Sequence, residues 1–378
     1  MELSREDALR LNVLLAGELH VIRIDESAMT VYGLSARGEA QIKLNPNGRG
    51  DQYLRLVRET ISGHVLGSPG GYPVYLKRWT RMGQARNQNL AQLLKLGEPE
   101  AVAAVVHASG LTEELARHAW WAMPSAENAR SMLRREAVVN SRLGPVLADY
   151  LVDYLPFETE PATAVETVRL VLQPALISTQ VRQELWHRAK NKPAYQVGFL
   201  LACPDDLPPA PAPRADVDQR IEMLTPLLEM GNPFAHQLAR IWSGKGQAFV
   251  QAVGQVLRRL SDQDIVLLLF KAIADYFQSV RIGDEEDLES LMREAANCCA
   301  GHGDIAPEQQ AALQQVIQYC PKSRPDIEGM LVLARLGYPA VRPVFSRTTA
   351  IGSLMRKKLE PVTRYLLAYL RQLQGQGN

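Results

Sequence analysis

Cysteine is scarce in this chain, with 4 in 378 residues. Two of the four, Cys298 and Cys299, are adjacent, and neighbouring residues form a disulfide only with strain. A disulfide framework is therefore not expected, which favours a reducing cytoplasm. Long apolar runs are missing as well, since no stretch approaches the roughly 20 apolar residues that a membrane helix needs. The charged N-terminus also lacks the features of a secretion signal. We expect a soluble cytoplasmic protein.

An excess of one charge is absent too, because 42 Lys and Arg residues balance 41 Asp and Glu residues. A general affinity for nucleic acid or for an acidic membrane is therefore not expected, although a local basic patch stays open. The seven histidines are dispersed, and neither a His-Glu-x-x-His motif nor a Cys-x-x-Cys motif occurs. A Gly-x-Ser-x-Gly nucleophile elbow is missing too. We predict no metal site, no cofactor and no identifiable catalytic residue.

The N-terminal part has the patterns of a small α+β domain. Ser4 is a good N-cap for a helix over residues 4–16, and a second amphipathic helix is predicted over 51–65. Between them, three short alternating segments predict an antiparallel meander, and these are His20–Ile24, Met29–Leu34 and Ala40–Leu44. We place this domain at residues 1–86.

A joint rich in glycine and proline, Ser62–Arg86, closes that domain and holds one more possible strand, Tyr72–Trp79. It lacks the glycine spacing of a nucleotide-binding loop, so it is either a turn or a partner-binding loop. Its aromatic and positive side chains interleave as in sites that hold phosphates and stack bases. Cationic side chains around a packed Trp would give the same pattern. The candidate binding residues are Tyr72, Tyr75, Lys77, Arg78, Trp79 and Arg81.

Helical spacing dominates beyond the joint, in blocks separated by short breaks. The predicted helices are 87–96, 98–108, 111–122, 125–138, 142–155, 161–173, 178–189, 193–202, 216–230, 232–242, 245–259, 262–280, 284–299, 306–319, 325–336 and 350–373. A proline-rich linker, 203–215, divides a helical-repeat block at 87–202 from a second helical block at 216–378. We predict a mainly α protein in which the α+β domain precedes an α-solenoid-like array of antiparallel helix pairs, of the HEAT or tetratricopeptide kind.

Two further candidate binding features lie in the first helical block. Arg130, Arg134 and Arg135 form a basic cluster on the predicted 125–138 helix. Trp120 and Trp121 cannot face the same direction on a helix. Core packing of both rings is the favoured interpretation, and the alternative is that one lies in the core and the other at a groove, where it suits contact with a protein partner.

Four segments carry a resemblance to a known family. They are residues 4–16 (SREDALRLNVLLA), 22–35 (IRIDESAMTVYGLS), 63–83 (GHVLGSPGGYPVYLKRWTRMG) and 120–130 (WWAMPSAENAR). The chain resembles the sulfur reduction protein DsrS family over its whole length, most strongly before residue 135. That family is encoded with reverse dissimilatory sulfite reductase in sulfur-oxidising bacteria.

The resemblance implies a cytoplasmic protein without a cofactor, which supports the oxidation of stored sulfur by acting on the expression or maintenance of the Dsr system. No catalytic residue carries over from the family. One hypothesis is therefore an accessory or regulatory protein that binds Dsr-system proteins or their mRNA. The alternative is a sulfur-transfer or redox enzyme that uses Cys298, Cys299 or Cys320, because a thiolate is the nucleophile such chemistry needs.

Overall fold

The computed structural model describes residues 2–67, 90–208, 211–346 and 351–376. In these ranges the regular elements are mostly α-helices, with one three-stranded antiparallel sheet near the N-terminus. The mainly α class predicted from the sequence is therefore confirmed. The chain divides into two compact units, Met1–Tyr154 (the first unit) and Leu155–Asn378 (the second unit). This division falls inside the predicted 87–202 block and so differs from the boundaries expected at 86 and 203.

The first unit begins with the predicted helix and meander. Its elements are α1 (Arg5–Leu15), β1 (Leu19–Asp25), β2 (Thr30–Ser35), β3 (Gly38–Lys43), α2 (Gly50–Leu66), α3 (Leu90–Leu93), α4 (Pro99–His107), α5 (Glu113–Ala122), α6 (Ala126–Leu133), α7 (Glu136–Val139) and α8 (Leu143–Tyr154). Ser4 caps α1, because its hydroxyl accepts a hydrogen bond from the Asp7 amide at 3.1 Å. The strands pair in the order β1-β2-β3, as the meander requires.

One core fills the space between the sheet and the first two helices. Leu11 of α1, Val31 of β2 and Val57 of α2 are fully buried in it. The buried carboxylate of Asp7 is held there by the Tyr53 hydroxyl, which donates at 2.5 Å, and by the Asn45 amide at 2.9 Å. The alternation of apolar residues in the meander and the helical spacing in 51–65 thus lead to the same buried layer.

A β-bulge interrupts β1 next to its first residue. Leu19 pairs with Ser35 and Val21 pairs with Leu34, so His20 is an extra residue opposite no partner. Leu19 and Ile22 both belong to the core although three positions separate them, which regular alternation does not allow. The bulge restores the alternation and turns His20 to the same side as Val21.

Glycine is required at position 97, where the segment between α3 and α4 passes close to β1. Gly97 has a φ of 68°, and a Cβ at this position would lie 3.0 Å from side-chain atoms of Ile24. A larger residue would be strained in its backbone and crowded against the strand. Gly67, with a φ of 63°, ends α2 in the same left-handed conformation.

One predicted helix of the first unit is wrong in its extent. The structure divides 125–138 into α6 and α7, because Arg134 ends α6 and Arg135 adopts an extended conformation before α7. The first three residues of the predicted 87–96 helix and the possible strand Tyr72–Trp79 lie outside the described residues. The other predicted helices of this unit agree with α4, α5 and α8 within about two residues.

The second unit is built from helices in its described ranges. They are α9 (Pro161–Val171), α10 (Thr179–Ala189), α11 (Pro193–Ala202), α12 (Val217–Glu229), α13 (Pro233–Trp242), α14 (Gly244–Leu257), α15 (Gln263–Tyr276), α16 (Leu288–Cys299), α17 (Pro307–Tyr319), α18 (Arg324–Leu333), α19 (Tyr338–Phe345) and α20 (Gly352–Leu373). The prediction missed α19, since Pro339 and Pro343 hide its helical spacing. It also began α16 too early, because Asp287 is the N-cap and the acidic residues before it are not helical.

Packing in the second unit joins both near and distant helices. Helix α10 packs on α11, and α13 packs on α14, as expected for successive helices. However, α11 also packs on α15, and α14 packs on α20. Contacts in a solenoid are confined to adjacent repeats, so the α-solenoid arrangement stays a prediction.

The described parts of the proline-rich segment are non-helical, as predicted, but they are anchored to the second unit. Leu207 and Arg214 are buried there. The Asp205 carboxylate accepts two hydrogen bonds from Arg240, at 2.9 and 2.6 Å. The Arg214 amide donates to the carbonyl of Trp242 at 2.9 Å. This stretch therefore packs inside the second unit, where the sequence predicts a proline-rich linker between two helical blocks.

Arg214, at the end of that segment, belongs to a buried network of charged side chains around Asp326. Asp326 of α18 has no exposed surface, and its carboxylate accepts hydrogen bonds from Arg214 at 2.8 Å and from the Trp242 indole at 3.1 Å. Arg220 contributes a longer contact of 3.4 Å, and Gln372 of α20 donates at 3.3 Å. Burial raises the pKa of Asp326, while the two guanidinium groups oppose that rise by favouring the charged carboxylate.

Within the described residues, no helix is both long enough and apolar enough to cross a membrane.

We expect Asp326→Ala to lower the free energy of unfolding by about 3–5 kcal/mol, because the change removes the buried carboxylate between Arg214 and Arg220 and leaves them only the partly exposed Asp216. Chemical denaturation followed by circular dichroism measures the effect. Glu222→Ala, at an exposed position of α12, is the control and should change stability by less than about 0.5 kcal/mol. Equal stability of the two variants would contradict the importance given to the network.

Candidate functional site

The aromatic and basic joint lies mostly outside the residues that the structure describes. This applies to Tyr72, Tyr75, Lys77, Arg78, Trp79 and Arg81. The described start of the joint, Ser62–Leu66, forms the last turns of α2, and Gly67 ends that helix. Binding by the six residues therefore stays a prediction.

The two tryptophans of α5 pack in different directions. Both are partly buried, so neither is fully in the core and neither is left fully exposed at a groove. Trp120 meets Tyr150 edge to face, with ring centroids 4.9 Å apart. The Trp121 indole donates to the Glu39 carboxylate at 3.1 Å. Each ring therefore has a packing partner within the first unit.

Arg23 completes the contact between Trp121 and the sheet. Its guanidinium lies 4.5 Å from the ring centroid of Tyr32 and 4.8 Å from that of Trp121. It also donates to the Trp121 carbonyl at 3.4 Å. Cation–π contacts of this kind stabilise by about 0.5–2 kcal/mol. The principal role of Trp121 in this geometry is to hold α5 against the sheet.

The predicted basic cluster does not lie on one helix. Because the chain breaks between α6 and α7, Arg134 is the C-cap of the first helix and Arg135 precedes the second. Arg135 donates to the carbonyl of His107 at 3.2 Å, and neither Arg130 nor Arg134 is without a partner. These three side chains therefore contribute to local structure, and nothing in the described residues marks them as a phosphate-binding row.

A groove that the sequence did not indicate lies between α1 and β3. Its volume is about 850 Å³. Leu9 and Val13 of α1 line it and are 66% and 68% exposed, whereas Leu11 and Leu14 on the same helix face the core. Two exposed apolar side chains one turn apart, beside an open groove, are characteristic of a binding surface. The sequence analysis did not single out Leu9 or Val13, because helical spacing identifies an apolar face without showing which part of it a neighbouring element covers.

The backbone of β3 adds hydrogen-bonding groups to this groove. Among the described residues, β3 pairs with β2 alone. The Leu44 amide donates to the carbonyl of Met29, which precedes β2. Hydrogen-bonded and non-hydrogen-bonded pairs alternate along an antiparallel ladder. The backbone groups of Ile42 and Ala40 therefore also bond to β2. The amides and carbonyls of Gln41 and Lys43 therefore point to the other edge, where an added strand can bind.

Positive charge predominates along the groove. Arg37 in the turn between β2 and β3, Lys43 of β3 and Arg10 of α1 line it, against one acidic residue, Glu18. Glu6 neutralises Arg10 through an ion pair across one helical turn. The remaining excess favours a ligand that carries negative charge.

Three side chains of types that bind metal ions meet where β1 faces α5. His20 of β1 and His118 of α5 have nearly parallel rings, with centroids 5.0 Å apart and planes 6° apart. Glu114 lies one turn before His118, and one ligand atom from each of the three residues lies within 4.8 Å of the others. The sequence analysis expected no metal site, because it considered histidines close in sequence. The Glu114 and His118 spacing was the available signal.

Burial favours the neutral form of His118. His118 is 6% exposed, and its burial lowers the pKa of the imidazole, with further lowering by His20 and Arg117. The neutral imidazole is therefore the stable form near neutral pH, and one ring nitrogen of it is free to accept a proton or to bind a metal ion.

The three cysteines of the alternative hypothesis are buried. Cys298 and Cys299 end α16 and are each 2% exposed, and Cys320 is 1% exposed. Burial raises the pKa of Cys298, and it raises the pKa of Cys299 to about 12. A thiol is nucleophilic only as the accessible thiolate. The expected burial of these thiols is confirmed, which weighs against the cysteine-dependent enzyme.

Comparisons of the chain with protein-family models, with curated proteins and with solved structures found no match.

The buried thiols give a direct prediction. In the folded protein near neutral pH, we expect iodoacetamide to label Cys298 and Cys299 at least about 100-fold more slowly than in guanidinium chloride, because access and thiolate are both suppressed. Mass spectrometry of the labelled peptides measures the rates. Cys203, which is partly exposed, is the internal comparison and should react faster. Rapid labelling of Cys298 or Cys299 in the folded protein would revive the enzyme hypothesis.

Proposed function

We propose that this protein is a non-catalytic accessory or regulatory protein that binds a protein partner in the groove between α1 and β3. The observation that carries the proposal is the exposed apolar pair, Leu9 and Val13, beside an edge of β3 that pairs with no further strand among the described residues. Such a site provides apolar contact and backbone hydrogen bonds at the same time. It needs no cofactor and no reactive side chain.

The partner segment is extended and acidic. A peptide that adds a strand to a sheet gains main-chain hydrogen bonds, and its alternate side chains enter neighbouring pockets. One side of the added strand would meet Leu9 and Val13, and its acidic residues would meet Arg37 and Lys43. Acidic side chains would also approach faster and exclude basic competitors, since charge complementarity acts on association rate and specificity.

The resemblance to the DsrS family supplies the cellular setting. We therefore propose a cytoplasmic role in the oxidation of stored sulfur, with a protein of the Dsr system as the partner. A protein is favoured over mRNA because Arg135 bonds within the chain, and neither Arg130 nor Arg134 is without a partner. In this proposal the helices of the chain form an α-solenoid-like scaffold that carries the groove.

The groove is tested by charge reversal at its apolar wall. We expect Leu9→Glu together with Val13→Glu to abolish recovery of Dsr-system proteins when the tagged protein is isolated from source cells grown on reduced sulfur. The carboxylates would repel an acidic segment and hydrate the apolar wall. Quantitative mass spectrometry of the recovered proteins measures the loss, and nuclease treatment removes contacts made through RNA.

Val146→Glu is the matched control, because Val146 is a 51% exposed apolar residue of α8 in the same unit. It should leave recovery unchanged. Arg37→Glu with Lys43→Glu should weaken recovery without removing an apolar contact. Recovery of Dsr-system proteins that is equal for the wild type and both groove variants would contradict the groove. Recovery of Dsr transcripts in place of proteins would contradict a protein partner.

A further inference from the structure

Helix α5 and strand β1 bring three metal-ligand side chains together in the first unit. Glu114 and His118 lie one turn apart on α5, so they project from the same face of the helix. His20 faces them from β1, and the ligand atoms of the three residues lie within 4.8 Å of one another. Within the described ranges, this is the one group of three His, Cys, Asp or Glu residues with such a spacing.

The β-bulge is what aims His20 at this point. Arg23 projects toward α5, where it contacts Trp121. Regular alternation would place Val21 on that same face and His20 on the opposite face of the sheet. The extra residue at His20 places it on the α5 side, where its ring stacks on His118. Bulges recur beside binding sites because they redirect one side chain.

The two supporting elements are held in place by other contacts. Thr112 caps α5 by accepting a hydrogen bond from the Leu115 amide at 3.3 Å. Ala116 and Ala119 are fully buried on the inner face of the helix, and Trp121 is fixed by Arg23 one turn beyond His118. The ligand side chains thus stand on a preformed frame, which reduces the ordering cost of binding an ion.

The donor set identifies the class of ion. Two imidazoles and one carboxylate form the three-ligand set of open zinc sites, in which water takes the fourth position. We propose that His20, Glu114 and His118 bind one Zn²⁺ or similar divalent transition-metal ion, which links β1 to α5. Glu114 is exposed and His20 is partly exposed, so the fourth position faces solvent.

Binding requires only a small closure of the side chains. With metal–nitrogen and metal–oxygen distances of about 2.0–2.2 Å, neighbouring ligand atoms in a tetrahedral site lie about 3.3 Å apart. The present separations of up to 4.8 Å shorten if the Glu114 side chain changes rotamer and one imidazole rotates about its Cβ–Cγ bond. Glu114 is exposed and can move without disturbing the core. His118, which is buried, supplies the fixed ligand.

Titration of the metal-free full-length protein with Co²⁺ tests this site. We expect one equivalent to give the visible absorption of a tetrahedral complex, and Zn²⁺ to displace it. We also expect Zn²⁺ to raise the melting temperature, since an ion that binds only the folded state stabilises it. Circular dichroism of each variant confirms that the fold is retained.

His20→Gln, Glu114→Gln and His118→Gln should each weaken Co²⁺ binding by about 100-fold or more, since even second-shell changes cost 10–100-fold. Each should also remove the Zn²⁺ effect on melting. Glu113→Gln is the matched control, because it removes the adjacent exposed carboxylate from the same helical turn. It should bind Co²⁺ as the wild type does.

Two results would overturn the proposal. One is the absence of stoichiometric Co²⁺ and Zn²⁺ binding to the folded wild type, which would leave His20 and His118 as a stacked pair without an ion. The other is binding that persists unchanged in Glu114→Gln and His20→Gln, which would place the ion elsewhere, for example on cysteine thiolates. Both substitutions lie at positions with solvent access, so loss of the fold does not obscure them.

Discussion

A single buried carboxylate constrains the second unit. Asp326 has no exposed surface, and a charge in that position is stable only if donors surround it. Arg214, Arg220, Trp242 and Gln372 supply those donors from four separate parts of the unit. The end of the proline-rich segment and helices α12, α13, α18 and α20 therefore cannot separate without exposing or stranding a charge. This explains why a segment with the composition of a linker packs as part of a compact body.

In the first unit a comparable constraint is an extra residue in a strand. The bulge at His20 lets Leu19 and Ile22 share the core, and it turns His20 toward α5. Arg23, three residues later in β1, makes a cation–π contact with Trp121 of α5. The two faces of the sheet therefore have different roles. One face packs on the core, and β3 forms the edge strand of the sheet among the described residues. The other face packs on α5, where the candidate ligands meet. The proposed partner groove and the proposed metal site are separate consequences of one small sheet.

The candidate sites consist of side chains that packing within the chain leaves exposed or accessible. Trp121 and Arg135, which the sequence analysis named as candidate binding residues, use their polar groups for hydrogen bonds within the chain. Leu9 and Val13, which the sequence analysis did not single out, are exposed. An apolar residue on an amphipathic helix is ambiguous at the boundary of its apolar face, because the spacing gives a stripe but not the width that a neighbouring element covers. The functional surfaces lie at those boundaries.

Local patterns in the sequence determined the mainly α class, the three-stranded meander, the cap at Ser4 and the burial of Cys298 and Cys299. These features depend on neighbours within a few residues or on simple apolar character, so spacing and residue type are sufficient to predict them. Only the tertiary structure decided the division after Tyr154 and the meeting of His20 with His118. Both depend on contacts between residues far apart in sequence, and a one-residue bulge, which no periodicity reveals, sets which side chains face each other.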